Sequence, residues 1–459
     1  MTLDVLLSAL GAQVVEPGET ANPAYLKDWA SRCPVTPLAV VRPRSVEEVS
    51  RTLEICNEHG LPVVPQGGRT GLAGGAQPLA DGVVICLDRM NGAPEIDGQG
   101  RVARVQAGVT LEQVQQAAEA QGLLFAVDIG SRGSCEIGGM IATNAGGMRA
   151  FRYGMMRQNV LGLEAVLPDG TVVSAMNGFL KNNTGYDLKQ LFIGAEGTLG
   201  VVTGAVLRLH PAQPARVTAL LRVENLARAQ QVLDALSLRL PGLSICEVMW
   251  PDYYYFASGF RGFDPLPDSA DGLTLLIEAE GQEEAGLRGD LQTALEYLFE
   301  KELVLDGAIS QSLRQTEEFW ALRSANEGLN QAFSSIVNFD ISLHPEIGDA
   351  VVARLNDRLA AASHQLRCLW LGHLGDMNLH LGVVRSSGSE IGPECEALIV
   401  DAVITTVLDA GGTISAEHGI GAFKVDYVPK LRSEAEQALS RTLRRALDPK
   451  GIMNPGRLF

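Results

Sequence analysis

The sequence predicts an α+β fold of two or three domains, and three observations predict it. The chain has 459 residues, roughly three times a 150-residue domain. From about Pro37 onward, strand, helix, strand and glycine-rich loop follow one another. Beyond RLHPAQP (208–214) the pattern changes to a second series of strands and helices, the texture of an antiparallel sheet covered by helices on one face.

Each element has a local reason. PLAVVRP (37–43) is an apolar run between prolines and reads as a buried strand. Ser45-Val46-Glu47-Glu48 is a capping box. Val46, Val49, Leu53 and Cys56 then share a helix face, and Gly60 ends that helix. LPVVPQ (61–66) is the next strand and runs straight into the loop GGRTGLAGG (67–75). VARVQAG (102–108) opens a second unit, in which Thr110 and Gln113 form another capping box and Gly122 closes the helix. A glycine-rich stretch spans Asp128 to Gly154, and a third loop spans Gly194 to Gly200. These elements define a first domain over 1–210, split near 98. A strand at 215–223, a helix at 225–238, strands at 243–249 and 274–281 and a helix to about 301 belong to a second domain, 211–420. Residues 421–459 are expected to form a helical segment that packs back on the first domain.

Composition excludes several classes. Lys and Arg number 37 against 54 Asp and Glu, a net charge of −17. This charge argues against nucleic acid or an anionic membrane as partner. The seven cysteines (33, 56, 86, 135, 246, 368, 395) form no C-x-x-C pair. Neither a disulfide framework nor a thiolate zinc site is expected, and reduced thiols fit a cytoplasmic protein. The start, MTLDVLLSALGAQVVEPG, lacks the basic region and apolar core of a signal peptide, and no apolar run reaches membrane-spanning length.

The three glycine loops carry the first chemical signal. Glycine allows positive φ and close backbone approach, so successive N–H groups can converge on a phosphate. Arg69 and Thr70 add a charge and a hydroxyl to the first loop, and Asn144 an amide to the second. Walker A and G-x-G-x-x-G patterns are absent. Any one loop alone would read as a tight turn; three within this span point to a large, phosphate-bearing ligand.

These segments carry a family resemblance. Val64-Pro65-Gln66-Gly67-Gly68-Arg69-Thr70-Gly71, the stretch Gly138-Gly139 to Gly146-Gly147, and Glu196-Gly197-Thr198-Leu199-Gly200 resemble the flavin domain of the vanillyl-alcohol-oxidase superfamily. The branch of D-2-hydroxyacid dehydrogenases, acting on D-lactate, glycolate or D-2-hydroxyglutarate, is the most similar. The resemblance implies a two-part FAD-binding domain, an antiparallel α+β substrate (cap) domain and a helical C-terminal segment. It implies FAD with its pyrophosphate on the first two loops and its isoalloxazine at the domain interface. Cofactor contacts are then expected from Gly67, Gly68, Arg69, Thr70, Gly71, Gly74, Gly75 and Ala76. Further contacts are expected from Ser134, Gly138, Gly139, Thr143, Asn144, Gly146, Gly147 and Gly154. Glu196, Gly197, Gly200, Val201, Val202 and Asn454 complete the set. No histidine lies in the three loops, so the FAD is expected to be non-covalent.

The second signal is histidine placement. A turn centred between Asp376 and Met377 would set His373 opposite His380, where two imidazoles can share a metal. Glu417 can complete a His/His/Glu site with an open position, and His418 stands beside it as an acid/base group. His59, His210, His344 and His364 read as ordinary core or surface residues. In the resembled family, H-x-G-D-x-N-x-H and E-H-G supply the ligands and the base, and His373, His380, Glu417 and His418 match them. The metal expected is zinc foremost, with manganese or iron(II) also suited. Arg323 matches the family's carboxylate-binding arginine. Asn338 stands where the family often has a lysine, Gly382 where relatives acting on diacids tend to have an asparagine, and Glu327 where a threonine is common. These changes remove charge and donors from the expected substrate wall, where Asn338 would sit with Arg323 and His418.

The expected activity is metal-assisted oxidation of a D-2-hydroxy acid to the 2-oxo acid, with hydride passing to FAD. The acceptor of its electrons is left open among an electron-transfer flavoprotein, a quinone and a cytochrome. A homodimer is compatible with the sequence. Two rivals remain: an FAD-binding subunit of a glycolate-oxidase-like complex, and a flavin-using transferase such as alkyl-dihydroxyacetone-phosphate synthase. The latter family carries a run of histidines, and this chain has no two adjacent.

Overall fold

The computed structural model describes residues 2–31, 33–267, 272–362 and 365–458, apart from the side chain of Glu327. His364 lies outside the described residues. The chain forms two compact units, Met1–Ala212 with Glu417–Phe459, and Gln213–Ala416. Sequence reading placed the last boundary at 421. The chain re-enters the first unit at Glu417, so Glu417 and His418 belong to that unit, whereas His373 and His380 belong to the second.

In the first unit, local signals set the helices. Ser45 Oγ accepts from the Glu48 N–H and caps the helix Val46–His59, whose Val49, Leu53 and Cys56 are buried. The reciprocal half of the expected box is displaced by one residue, because the Glu48 carboxylate accepts from the Arg44 N–H instead. Thr110 and Gln113 form a full capping box on the helix Leu111–Glu119. That helix ends at Ala120, and Gly122, at φ 67°, turns the chain beyond it.

A four-stranded sheet has the order Val15–Pro17, Ala39–Val41, Val83–Cys86, Val63–Gln66, parallel except for its first pair. Its inner strand Val83–Cys86 is buried at every position, as a parallel strand covered on both faces must be. A five-stranded antiparallel sheet follows, in the order Glu95–Asp97, Val102–Gln106, Val201–Arg208, Val160–Val166, Val172–Ala175. The C-terminal segment closes this unit. After the helix Glu434–Leu447, Met453 bridges Val63 in parallel, and Ile452 and Met453 enter the same core as Val41 and Ile85.

The second unit is a seven-stranded antiparallel sheet. Its order is Asp306–Ile309, Ala215–Val223, Leu273–Gly281, Leu243–Met249, Leu366–His373, Asn378–Arg385, Val337–Ser342. Every residue of Leu243–Met249 is buried. A sheet covered on one face alone would show alternation there, so the expectation of one covered face does not describe this central strand. Met249, Leu369 and Leu371 pack with Tyr253 and Tyr254 of the helix Pro251–Arg261 and with Phe319 and Leu322 of the helix Leu313–Arg323.

Candidate active site

The glycine loops of the first unit converge on one cleft. Gly67, Gly68, Arg69, Thr70, Gly71, Gly75 and Ala76 line it from the first loop, and Gly138, Gly139 and Thr143 from the second. Glu196, Gly197, Gly200, Val201 and Val202 line it from the third, and His418 completes the wall. The loops touch through backbone: a Cβ on Gly68 would lie 1.8 Å from the Ser134 carbonyl oxygen. Arg69 takes φ 59°, and its guanidinium lies over the Tyr25 ring, 4.9 Å from the centroid.

Other expected cofactor residues shape the loops instead of lining the cleft. Asn144 ends the helix Ile137–Thr143 in the left-handed region and accepts from the Arg157 N–H. Gly154 ends the short helix Ala150–Tyr153 at φ 77°. Gly74, at φ 73°, faces the Phe423 ring, and Gly146 faces Met155. Asn454 Nδ2 donates to the carbonyls of Gly75 and Glu196. The Glu196 carboxylate accepts from the N–H groups of Ile420 (2.8 Å) and Gly421 (2.7 Å), which fixes the segment just after His418. The amide of Gly147 donates to Glu417 Oε1 at 3.0 Å.

Sequence reasoning missed Glu136. It lines the cleft, is 6% exposed, and its Oε2 has no hydrogen-bond partner among the described residues. Burial pushes its carboxyl up to about 8, with the Arg69 charge opposing and Asp88 adding to the rise.

The second unit holds the histidine pair. The hairpin pairs His373 with Asn378 and His380 with Leu371, so its centre lies one residue earlier than expected, between Gly375 and Asp376. The register differs from the expected one by two residues, which preserves the face. His373 and His380 are diagonal neighbours on one side, with Nε2 atoms 3.3 Å apart and rings at 86°. Asp376 Oδ1 accepts from the Asn378 N–H, and Met377 takes φ 57° to close the turn. Asn378 is 2% exposed, and neither side-chain polar atom has a hydrogen-bond partner among the described residues.

Behind the pair stands a second missed residue, Glu247. It faces His373 across the sheet, and its side chain is fully buried. Oε1 lies 2.6 Å from His373 Nδ1, and Oε2 accepts from Arg323 Nε at 2.5 Å. Burial alone would raise this carboxyl; the charges of His373 and Arg323 outweigh it and hold the group well below the usual carboxylate range. The available signal was a glutamate inside the apolar run Leu243–Met249. Arg323 is therefore a buried residue paired with Glu247, not a surface salt-bridge arginine. Asn338 is exposed on the edge strand and pairs directly with Gly382.

Comparisons with known proteins identify the family. Residues 37–175 match the family described as FAD binding domain, and residues 212–458 the FAD linked oxidases, C-terminal domain. A D-2-hydroxyglutarate dehydrogenase of Stutzerimonas stutzeri is 37% identical over 97% of this chain and 97% of its own. Another, from Xanthomonas citri pv. viticola, is 36% identical over 95% of this chain and 92% of its own. The chain belongs to the FAD-linked D-2-hydroxyacid dehydrogenase family. It is an FAD-linked oxidoreductase acting on CH–OH groups. Among solved structures, an alkyldihydroxyacetonephosphate synthase matches with TM-score 0.78 at 17% identity, over 99% of this chain and 86% of its own. A p-cresol methylhydroxylase matches with TM-score 0.77 at 17% identity, over 99% and 96%. Both similarities show the shared fold.

For a member of this family, the glycine-lined cleft fits FAD. Its loops approach too closely for a Cβ at Gly68, and it holds an orphaned buried carboxyl oxygen at Glu136. The histidine pair fits a divalent cation. Two Zn–N bonds of about 2.0–2.1 Å at a tetrahedral angle place the nitrogens about 3.3 Å apart. The buried Asn378, cross-strand partner of His373, has a side-chain amide without a hydrogen-bond partner among the described residues. Among the described residues, no helix is long and apolar enough to cross a membrane.

Proposed function

We propose that the chain oxidises a D-2-hydroxy acid to its 2-oxo acid with non-covalent FAD and a divalent cation, zinc foremost, manganese or iron(II) also suited. The ligands in this reading are His373, His380 and Glu417. The observation that carries it is the His373–His380 pair, linked to Arg323 through the Glu247 carboxylate.

FAD, when bound, supplies the hydride acceptor that no side chain provides, and a divalent cation lowers the pKa of the substrate hydroxyl. The chain's own residues do the rest. Arg323, oriented by its bond to Glu247, pairs with the substrate carboxylate. His418, on the wall of the FAD cleft, takes the hydroxyl proton as general base. Glu196 holds that segment in place through the Ile420 and Gly421 amides. Asn338 and Gly382 form a neutral cross-strand pair on the substrate wall. This favours an uncharged substrate side chain, although 2-hydroxyglutarate, named for the relatives, is the first acid to assay. The seven cysteines are all free, which suits a reducing, cytoplasmic setting.

The test is dye reduction by the purified protein with a panel of D- and L-2-hydroxy acids, with and without chelator. The reading expects a yellow protein bleached by a D-acid and silenced by chelation. A protein that stays colourless after FAD addition, or turnover indifferent to chelator, sinks it.

A further inference from the structure

We infer that Glu247 is a positioning residue that fixes His373 for metal binding and, with the same carboxylate, orients Arg323 for the substrate anion. The inference rests on the metal-assisted reading above.

The sheet dictates the arrangement. Glu247 and His373 are direct partners across adjacent antiparallel strands, so their side chains leave the same face side by side. An ionised carboxylate only accepts hydrogen bonds. Contact at 2.6 Å therefore turns Nδ1–H of His373 toward Glu247 and leaves Nε2 as the ring nitrogen that a cation would take. That Nε2 is the atom 3.3 Å from His380 Nε2. The neighbouring Cys246 carbonyl accepts from the Leu374 N–H at 2.8 Å, so the same strand pins the turn immediately after His373.

The other oxygen acts on Arg323. This residue ends the helix Leu313–Arg323, and its carbonyl accepts from the Tyr253 hydroxyl at 2.8 Å. With the backbone held by Tyr253 and Nε held by Glu247, the plane of the guanidinium is set. A glutamate needed only to neutralise a buried arginine would not require a histidine on its second oxygen. Glu247 is fully buried, so it acts through these two partners rather than on substrate.

Glu247→Gln discriminates, because an amide has one acceptor oxygen. Its NH2 must face either Arg323 Nε–H, donor against donor, or His373 Nδ1, which accepts only when the ring proton sits on Nε2, the atom a cation would need. The experiment uses the full chain loaded with FAD and stripped of metal. Zn²⁺ affinity is measured by calorimetry, and histidine tautomers by ¹⁵N NMR, which is tractable with seven histidines. In the parent, His373 should show the Nδ1–H tautomer. In E247Q the tautomers should mix, Zn²⁺ affinity should fall about 10- to 100-fold, and KM for the hydroxy acid should rise in parallel. Glu247→Asp, which keeps the charge on a shorter arm, should restore part of both. Should E247Q fail to fold by flavin absorbance and thermal melting, E247D against the parent gives the same comparison. A merely structural glutamate would shift the melting temperature and leave tautomer and affinity unchanged, and that result overturns the inference while metal-assisted oxidation stands. A parent chain that takes up neither Zn²⁺ nor Mn²⁺ overturns both.

Discussion

The side-chain amide of Asn454 donates to the carbonyls of Gly75 and Glu196, at 3.0 and 2.7 Å. The last turn of the chain thus ties the first glycine loop to the third. Asn454 is 1% exposed, so no water replaces it. Asn454→Ala leaves the buried Glu196 carbonyl unpaired, at about 1–3 kcal/mol, and the half-buried Gly75 carbonyl without its donor. We expect a lower melting temperature and weaker FAD binding together, read by thermal melting and flavin fluorescence titration. An alanine variant with parental FAD affinity would show that the two loops need no tie.

Gly68 and Gly71 separate packing from ligand contact. A Cβ at Gly68 would overlap the Ser134 carbonyl at 1.8 Å, whereas one at Gly71 meets nothing within 4 Å. Gly68→Ala must push the first loop from the second, a cost of about 1–3 kcal/mol or more. Gly71→Ala should leave the melting temperature of the FAD-free protein unchanged. Any loss it causes should appear only in FAD affinity.

Glu136 predicts a pH dependence. Its folded carboxyl, raised by burial to about 8, lies above the unfolded value of 4.5. Between these values the folded chain holds a proton that the unfolded chain has released. Stability relative to acid pH is therefore lost as pH rises through that window, with a slope of at most about 1.4 kcal/mol per pH unit. Glu136→Gln should flatten the dependence of the melting temperature on pH between 5 and 8. An unchanged slope in E136Q would place the titration elsewhere.

Much of this architecture was legible because local signals agreed with the fold. The Thr110–Gln113 box and Asn225 start helices where their spacing said they would, and the glycine loops lie on a single cleft. The hairpin histidines were readable, but their register was not. Turn centres depend on conformations such as the positive φ of Met377, which composition does not announce. Glu247 was hidden for a different reason. A lone glutamate in an apolar strand has meaning only once the neighbouring strand, more than a hundred residues later, supplies His373 as its partner. Glu136 was hidden because burial alone gives it character, and burial is a property of the assembled loops.

His418 and Arg323 should fail in different ways. A general base contributes about 10²- to 10⁴-fold, so His418→Asn should lower kcat by that order and remove the acidic limb of the kcat/KM profile. FAD absorbance should persist. Arg323→Lys keeps the charge but loses the Nε–H that bonds Glu247. Its main effect should be a raised KM. Steady-state kinetics over pH separate the two, and a KM-only effect in H418N would remove His418 from the proton step.

Asn338 lies directly across from Gly382 on the sheet that carries His380. Neither side chain offers a cation to a second carboxylate on the substrate. Asn338 is exposed, so a longer side chain fits without repacking. In Asn338→Lys, an ammonium within about 4 Å of a carboxylate gains about 1–4 kcal/mol at the dielectric of a partly open site. The ratio of kcat/KM for a D-2-hydroxy diacid over a D-2-hydroxy monoacid should then rise at least about fivefold. The change should shrink at high salt, because an exposed ion pair is screened. A ratio that does not move would mean that the far end of the substrate lies away from this strand pair, and that the neutral wall formed by Asn338 and Gly382 does not set substrate choice.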